Sequence, residues 1–408
     1  MTKKSESPAP VRPAKPARAG ARRWQNYLPL GLTLALPRLL RADSDIDYRA
    51  GYYIEDNHRM VIETHSAHFD FKLLDSLAVK GQFVYDSVSG ATPIGTHNWS
   101  LVGSQWIRGA AKTIKIDSDE RYAGNAEIDW KLGNNTLSPG FAVSTEHDYL
   151  SFSPSLSDAW EFNDKNTIVQ AGISHNFDSV RTVKGNWVEV FGIGHFRTTP
   201  DQWASKDSTE AMIGISQLLS PKTILTANVT YGYDTGFLSD PYRLAEYGPS
   251  FLPFTVGIKE VRPRIRNKEV FQTSLTQYFE SVNGSLEGTF RVFHDSYDIT
   301  SEDVGLTWHQ WLGKHVMVEP FGRFYYQSAA SFYSPVFTDP VPTYHSSDYR
   351  LSEFCSTDLG LQVTGVINDH VHIVAGYHRY EMFGLDGKTT SDMYPKANVF
   401  TIGLSILW

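Results

Sequence analysis

Hydrophobic and polar residues alternate with a period of two through most of the chain beyond residue 42. In the segment 223–234, the apolar positions Leu225, Ala227, Val229, Tyr231 and Tyr233 fall on one face, and polar residues or glycine fall on the other. The segments 284–297 and 351–363 repeat the pattern. Period-two alternation predicts β-strands with one apolar and one polar face. The three segments are 12 to 14 residues long, which exceeds the usual length of soluble strands, about 5 or 6 residues. Such lengths favour tilted strands that cross a bilayer.

The links between the predicted strands alternate between short and long. Short turns are predicted near 73–74, 133–135, 163–165, 220–221, 283–284, 313 and 368–369, and long links at 89–118, 179–206, 235–266 and 329–347. Outer-membrane barrels have short periplasmic turns and longer external loops. We count the strands back from the C-terminus with every short turn on the periplasmic side. The N-terminus then reaches the periplasm only if there is a first strand near Asp47–Ile54, which gives an even number of about 16 strands. We therefore predict an all-β fold, a single transmembrane antiparallel β-barrel over residues 43–408, in the outer membrane of a Gram-negative bacterium.

The four long links are too long to be simple turns, and we expect all of them on one side of the membrane. Trp99 and Trp106 fall in the first link, and Phe251 and Phe254 in the third. Burial of such large apolar side chains is favourable. Several of the links are therefore predicted to fold inward or to pack on one another.

The last ten residues form a further alternating segment, and this segment ends on an aromatic residue. Its apolar face consists of Phe400, Ile402, Leu404, Ile406 and Trp408. The segment resembles the C-terminal strand by which the outer-membrane assembly machinery recognises its substrates. We therefore predict these five residues as the assembly signal and that machinery as a partner.

Residues 1–42 differ in composition from the rest of the chain. They carry nine of the 37 Lys and Arg residues but only one of the 45 Asp and Glu residues. An apolar stretch, 28–36, follows the basic pair Arg22-Arg23 and precedes Ala42. This order is typical of an export signal, and the stretch is too short for a spanning helix. We predict a signal peptide and basic N-terminal extension over residues 1–42, with a twin-arginine signal and a disordered cytoplasmic tail as alternatives.

The predicted mature chain is acidic, since 28 basic and 44 acidic residues remain beyond residue 42. A net charge of about −16 gives no support for nucleic-acid binding. Aromatic residues make up 13% of the chain although the mean hydropathy is only −0.31, which suits strands with one lipid-facing and one water-facing side. The single cysteine, Cys355, excludes an intramolecular disulfide and a CxxCH haem motif. We therefore expect no cofactor.

Several segments of the chain resemble the outer-membrane barrel family known as domain of unknown function 3570. The most specific segments are 86–93 (Asp-x-Val-Ser-Gly-Ala-Thr-Pro) and 347–352 (Ser-Asp-Tyr-Arg-Leu-Ser). Further similar stretches lie at 52–56, 144–149, 236–242 and 262–266, so the resemblance covers the whole mature chain. It implies an outer-membrane barrel. Because the family has no assigned activity, it implies no catalytic residues.

Charged residues and histidines on the inward faces of the predicted strands are candidates for a functional lumen. They are Glu287, Arg291, Asp295, Glu319, Arg323, His370, His372 and His378. Charged ladders of this kind tune the ion preference of a channel, and they equally suit salt bridges that brace the wall or hold a loop as a plug. A His-x-His pair can grip a metal ion through neutral imidazoles. No further ligand lies nearby in sequence, however, so we predict hydrated lumen residues and no metal site.

Two loop motifs carry other chemistry. The segment 344–348 places His345 and Ser347 two residues apart, which is similar to barrel phospholipases, although no oxyanion donor can be placed beside them. The run 261–266 contains Arg262, Arg264 and Arg266. These arginines could bind anions or lipopolysaccharide phosphates as guanidinium forks, or they could form a solvated charge run.

A barrel of about 16 strands is wide enough to hold an aqueous channel unless loops or the N-terminus fill it. We therefore expect a porin-like channel or transport protein of unknown substrate, surrounded by outer-membrane lipid and lipopolysaccharide, rather than an enzyme. One alternative is a scaffold barrel that sheathes a periplasmic or redox partner. The second alternative is an outer-membrane hydrolase.

Overall fold

The computed structural model describes residues 44–182 and 202–408, apart from the side chains of residues 114, 115, 117 and 118. The predicted signal peptide, 1–42, lies outside the described residues. The strands are β1 Asp45–Glu55, β2 Met60–Leu74, β3 Leu77–Val102, β4 Gln105–Leu132, β5 Asn135–Thr145, β6 Tyr149–Phe162, β7 Thr167–Thr182, β8 Gln202–Ser220, β9 Thr223–Gly236, β10 Leu244–Tyr247, β11 Val256–Lys259, β12 Ile265–Phe279, β13 Gly284–Asp295, β14 Thr300–Leu312, β15 Val316–Gln327, β16 Phe354–Asn368, β17 Val371–Gly384 and β18 Lys396–Leu407. Short 3₁₀ turns cover Asp56–His58, Glu280–Val282, Tyr349–Leu351 and Ser391–Met393. Among the described residues, no helix is both long and apolar enough to cross a membrane.

Sixteen of these strands form one closed antiparallel barrel, and β10 pairs with β11 in a separate two-stranded sheet. The first strand, β1, pairs with β2 on one side and with the last strand, β18, on the other. Asp45 lies opposite Leu407, and the backbone N–H of Trp408 donates to the carbonyl of Ser44 at 3.0 Å. Because every edge is paired, no strand leaves its backbone groups unsatisfied in hydrocarbon. The predicted barrel of about 16 strands is confirmed.

The two ends of the barrel differ in the length of their links. At one end, here called the turn end, the links are short and both described chain termini, Ser44 and Trp408, are found. The other end, here called the loop end, carries the long links 237–264 and 328–353 and the link 385–395. The link between β7 and β8 falls on residues 183–201, outside the described part of the chain. Since consecutive barrel strands are antiparallel, the described long links share one end, as predicted.

The outward face of the wall is apolar. The side chains of Ile173, Val229 and Leu361 are 54%, 51% and 44% exposed, whereas the amide of Gln362, on the opposite face of β16, donates to Glu319 inside the barrel at 2.9 Å. A soluble protein buries the apolar face of a strand and exposes the polar one. The reversed arrangement is the one that hydrocarbon outside and water inside require.

Buried apolar clusters occur at the loop end. One consists of Tyr349, Phe354, Met382, Met393 and Tyr394. The other consists of Tyr297, Ile299, Ala330 and Leu351. Both join a link to the adjoining ends of the strands, and they fix the position of the links relative to the wall.

Two details of the sequence prediction were wrong. The segment 89–118 is not a loop, because β3 and β4 continue through most of it and meet at the tight turn 103–104. Gly103 allows this turn through its positive φ of 64°, and the register shifts near Pro93 show how the strand tolerates residues typical of loops. Leu351 does not begin a strand, since β16 starts at Phe354 and Leu351 is buried among the loops.

Candidate functional site

Four segments at the loop end pack against one another, and we call them together the loop plug. They are 89–118, 237–264, 328–353 and 385–395. The indole N–H of Trp99 donates to Thr255 at 2.7 Å, and the rings of Trp106 and Phe254 lie 4.7 Å apart. The predicted packing between loops is therefore present, although Phe251 does not take part and is 79% exposed.

Glu246 is the fully buried acidic centre of one half of the loop plug. Its carboxylate lies 2.7 Å from Nδ1 of His97 and 2.8 Å from a terminal nitrogen of Arg108, both on the arm formed by β3 and β4. The hydroxyl of Thr255 also donates to it. Burial alone raises the pKa of Glu246, but the hydrogen bonds from His97 and Thr255 and the charge of Arg108 outweigh burial and lower the pKa. The carboxylate is therefore charged and ties the arm to the link 237–264.

Asp348 is the buried acidic centre of the other half. Arg262 donates to it at 2.8 Å from the link 237–264, and Arg350 binds it through Nε at 2.9 Å. Burial acts to raise the pKa of Asp348, yet the charges of Arg350, Arg243 and Arg262 hold it well below its usual range. These ion pairs join the links 237–264 and 328–353 across the barrel mouth.

Residues of the wall hold the loop plug in place. The amide of Gln327, at the end of β15, donates to the carbonyl oxygens of Arg350 and Ser352 at 2.9 Å each. Arg266, at the start of β12, binds Asp295 at the end of β13 through Nε at 2.7 Å. Asp295, one of the predicted lumen residues, therefore braces the wall through a salt bridge, and Gln327 attaches a loop to the wall.

Two cavities adjoin the loop plug. The inner cavity, about 520 Å³, lies between the loops and the wall from β8 to β15, and the mouth cavity, about 500 Å³, lies beside the links after β5 and β9. Arg262, Arg266 and Arg350 line both cavities. These three arginines therefore form a shared boundary between the two spaces.

The two cavities differ in the charge of their described lining residues. The inner cavity is lined by Arg262, Arg266, Lys268, Arg291 and Arg350, against the acidic residues Glu210 and Asp348. The mouth cavity is lined by the acidic residues Asp119, Glu146, Asp148, Asp234 and Asp240, together with Lys206 and the three shared arginines. The described lining of the mouth cavity is therefore richer in acidic residues, and that of the inner cavity is richer in basic ones.

The other predicted lumen residues form ion pairs along the inside of the wall. His309 links Glu319 at 2.8 Å with Glu287 at 3.7 Å. Arg323 binds Asp303 through Nε at 2.8 Å, and Arg291 lies 3.6 Å from the same carboxylate. Of the eight predicted residues, only Arg291 is among the described lining of the inner cavity.

The three predicted histidines do not come together. His378 contacts Asp358 at 2.6 Å, His372 lies opposite Ser405 on β18, and His370 sits in the turn between β16 and β17 beside the carbonyl of Leu407. Among the described residues, groups with metal-ligand geometry are Asp45, Asp47 and His68 at the turn end, and Asp119, His147 and Asp148 at the loop end. Neither group includes the histidine pair.

Both residues of the phospholipase-like motif, His345 and Ser347, form hydrogen bonds with backbone carbonyls of the loops. The ring nitrogens of His345 face the carbonyl oxygens of Pro342 and Lys259, at 2.8 and 2.9 Å. The hydroxyl of Ser347 donates to the carbonyl of Ser334 at 2.8 Å. Neither contact joins the histidine to the serine, so the arrangement supplies loop cohesion rather than an activated nucleophile.

Sequence reasoning missed Glu246, Asp348 and Arg350 as centres of the loop plug. The segment 347–352 is distinctive in the sequence only as a family motif, and Glu246 has no distinctive sequence context. The arginine run 261–266 was noted, but its first and last arginines point inward, and Arg264 alone remains exposed. An isolated sequence offered no sign that these residues share one site.

Several solved structures are similar to this chain at low sequence identity. The siderophore receptor PirA from Pseudomonas aeruginosa is 9% identical over 90% of this chain and 62% of its own, with a TM-score of 0.42. CdiB from Acinetobacter baumannii is 8% identical over 90% and 60%, with a TM-score of 0.49. A bacterial polysaccharide outer membrane secretin is 10% identical over 90% and 99%, with a TM-score of 0.45. The chain thus spans about three fifths of the length of PirA and of CdiB.

No curated protein matches the sequence. A family model does match it, over residues 33–406, and this range includes the whole described barrel wall except Leu407, the last residue of β18. The predicted family is confirmed, and the chain belongs to the family described as "Protein of unknown function (DUF3570)".

Proposed function

We propose that the protein is an outer-membrane channel for small polar solutes, in which the loop plug forms the constriction. The outer-membrane location is supported by the closed wall with its exposed apolar side chains, such as Val229 and Leu361. On this proposal, outer-membrane lipid and lipopolysaccharide surround the wall, and the assembly machinery recognises β18.

The observation that carries the channel proposal is the pair of adjoining cavities that share Arg262, Arg266 and Arg350. Two cavities lined by charged side chains and separated by only a few residues resemble a permeation path with a narrow constriction more than a closed plug. Rings of charged side chains at a constriction select solutes by charge. The route would run from the mouth cavity past the three arginines into the inner cavity.

Planar-bilayer recording tests the proposal. Purified barrel should give steady single-channel steps, and deletion of residues 244–259 should enlarge them. Leu244 and Lys259 lie opposite each other in the β10–β11 pair, so a short glycine linker can replace the segment without moving the ends. The matched control is Phe251→Ser, an exposed change in the same link. An absence of steps in both the wild-type and the shortened barrel would refute the channel.

A scaffold barrel around a periplasmic or redox partner is the second candidate, and the buried ion pairs of Glu246 and Asp348 favour it, because they resist opening. The bilayer experiment separates the two, since a scaffold gives no conductance. We propose no enzymatic activity. Release of fatty acid from lipid by the pure barrel, abolished in His345→Ala, would support a hydrolase instead.

A further inference from the structure

We propose that the inner cavity binds a small organic anion, a carboxylate or a phosphate ester, and that this site selects the solute. The selecting role rests on the channel proposal, whereas binding itself can be measured without conductance. The inference comes from the charge, the free donors and the size of the cavity.

Arg291 provides the first observation. Its guanidinium lies 3.6 Å from Asp303, and its side chain is 41% exposed. That carboxylate already accepts from Nε of Arg323 at 2.8 Å and also from a terminal nitrogen of Arg323. Within the described part of the chain, the guanidinium of Arg291 makes no side-chain hydrogen bond, and this residue lines the inner cavity. Its donors are therefore available to a ligand there.

Two neighbouring cations, Arg266 and Arg350, are each bound by a carboxylate that does not line the cavity. Asp295 binds Arg266 through Nε at 2.7 Å, and the ring of Tyr297 stacks on the same guanidinium at 4.7 Å. Asp240 binds Arg350 at 2.7 Å. A guanidinium fixed in this way loses little rotational freedom when it binds an anion through its remaining N–H groups.

Cationic side chains outnumber acidic ones in the described lining of the cavity. Its described lining has five cationic side chains and two acidic ones, Glu210 and Asp348. Both carboxylates already bind cations of the same lining, since Glu210 lies 3.0 Å from Lys268 and Asp348 binds Arg262 and Arg350. A cationic ligand would have to displace one of these pairs, whereas an anion adds a partner to Arg291.

The rest of the lining specifies an organic ligand. Apolar side chains at Val270, Phe293, Ile299 and Leu351 face the same space. The volume of about 520 Å³ lies within the range of small-molecule sites, about 300–1,000 Å³. A short carbon chain with an anionic group matches this combination of apolar wall and guanidinium forks.

Calorimetric titration of the purified full-length barrel in detergent tests the site. The probes are succinate, glycerol 3-phosphate and 1,4-diaminobutane, a cation with the same number of carbons as succinate. Arg291→Gln should bind the preferred anion at least about tenfold more weakly, which is the effect of losing one charge-assisted hydrogen bond. Arg291→Lys should retain part of the affinity, because it keeps the charge.

Arg264→Gln is the matched control, since Arg264 is exposed and is not among the described lining residues. It should bind like the wild type, and heat-modifiable gel mobility should show every variant folded. Equal affinity of wild type and Arg291→Gln, stronger binding of the diamine, or no binding of either anion would overturn the site. Anion binding by a barrel that gives no conductance would keep the site and refute the channel.

Discussion

Arg262 donates to Asp348 at 2.8 Å, although 86 residues separate them in the chain. The first lies in the link between β9 and β12 and the second in the link between β15 and β16. Their pairing fixes two loops over the barrel mouth, and Arg350 adds a second cation to the same carboxylate. The stability of the loop plug therefore depends on a buried charge.

Asp348→Asn should loosen the loop plug. Removing one partner of a buried ion pair costs about 3–5 kcal/mol because the remaining charges lose their compensation. We expect faster protease cleavage within 328–353 and larger or more frequent conductance steps. Glu280→Gln is the control, since its pair with Lys222 is exposed at the turn end and such pairs contribute about 0–1 kcal/mol. Unchanged protection in Asp348→Asn would contradict the role of this residue.

Moderate acid should not open the loop plug through Asp348. The pKa of this carboxyl is lower in the folded protein than its usual value of about 3.9. A depressed pKa contributes stability that is complete above the unfolded value and is lost only as the pH falls through the folded one. Loop protection should therefore be the same at pH 7 and pH 5 and should decline only below about pH 4. If the loop plug of the wild type opened at pH 5 and that of Asp348→Asn did not, protonation of Asp348 would be shown to open the loop plug in moderate acid, against this prediction.

The wall should tolerate charge on one face and not on the other. Leu361→Arg places a cation in lipid and should cost about 2–4 kcal/mol near the midplane. Gln362→Arg, one residue along β16, points inward to the buried carboxylate of Glu319 and should cost little. Urea-dependent unfolding in lipid vesicles measures the difference. Equal destabilisation by the two substitutions would contradict the assignment of Leu361 to the lipid-facing side and of Gln362 to the lumen.

Removal of β18 should abolish membrane insertion. The strand pairs with both β17 and β1, so a chain truncated before Lys396 has two open edges in hydrocarbon. Heat-modifiable mobility separates inserted from unfolded chains. Trp408→Ser should slow assembly but leave the inserted barrel unchanged. The hydrogen bond from the backbone N–H of residue 408 to the carbonyl of Ser44 does not involve the indole and is kept in the variant. Insertion of the truncated chain would exclude β18 as the closing strand.

The exported protein should begin close to Asp43, after the apolar stretch 28–36 and Ala42. N-terminal sequencing of protein extracted from the outer membrane provides the measurement. Residue 1 on inserted chains would exclude a cleaved signal. Substitution of Arg22-Arg23 by Lys-Lys separates the twin-arginine route from general secretion, because only the former requires the arginine pair.

The sequence predicted the wall much better than the loop plug, for a physical reason. In each strand of the wall, every second side chain faces outward and is apolar, as at Val229 and Leu361. This alternation is visible in a few consecutive residues and therefore predicts the strand from the local sequence. The pairing of Glu246 with His97 joins residues 149 apart and leaves no local pattern. The arm of β3 and β4 was missed because glycine and proline at 90–95 are typical of loops, although bulges accommodate them here.

The pairing of β1 with β18 joins the start of the barrel to its end, so the wall contains a contact of nearly the greatest separation the chain allows. Such contacts form slowly, because a long loop must close before they give any stability. No partial chain emerging from synthesis can complete the ring, and each exposes a strand edge ready to pair with another molecule. This protein therefore depends on protection from self-association from the synthesis of β1 until β18 pairs with β1 in the closed barrel.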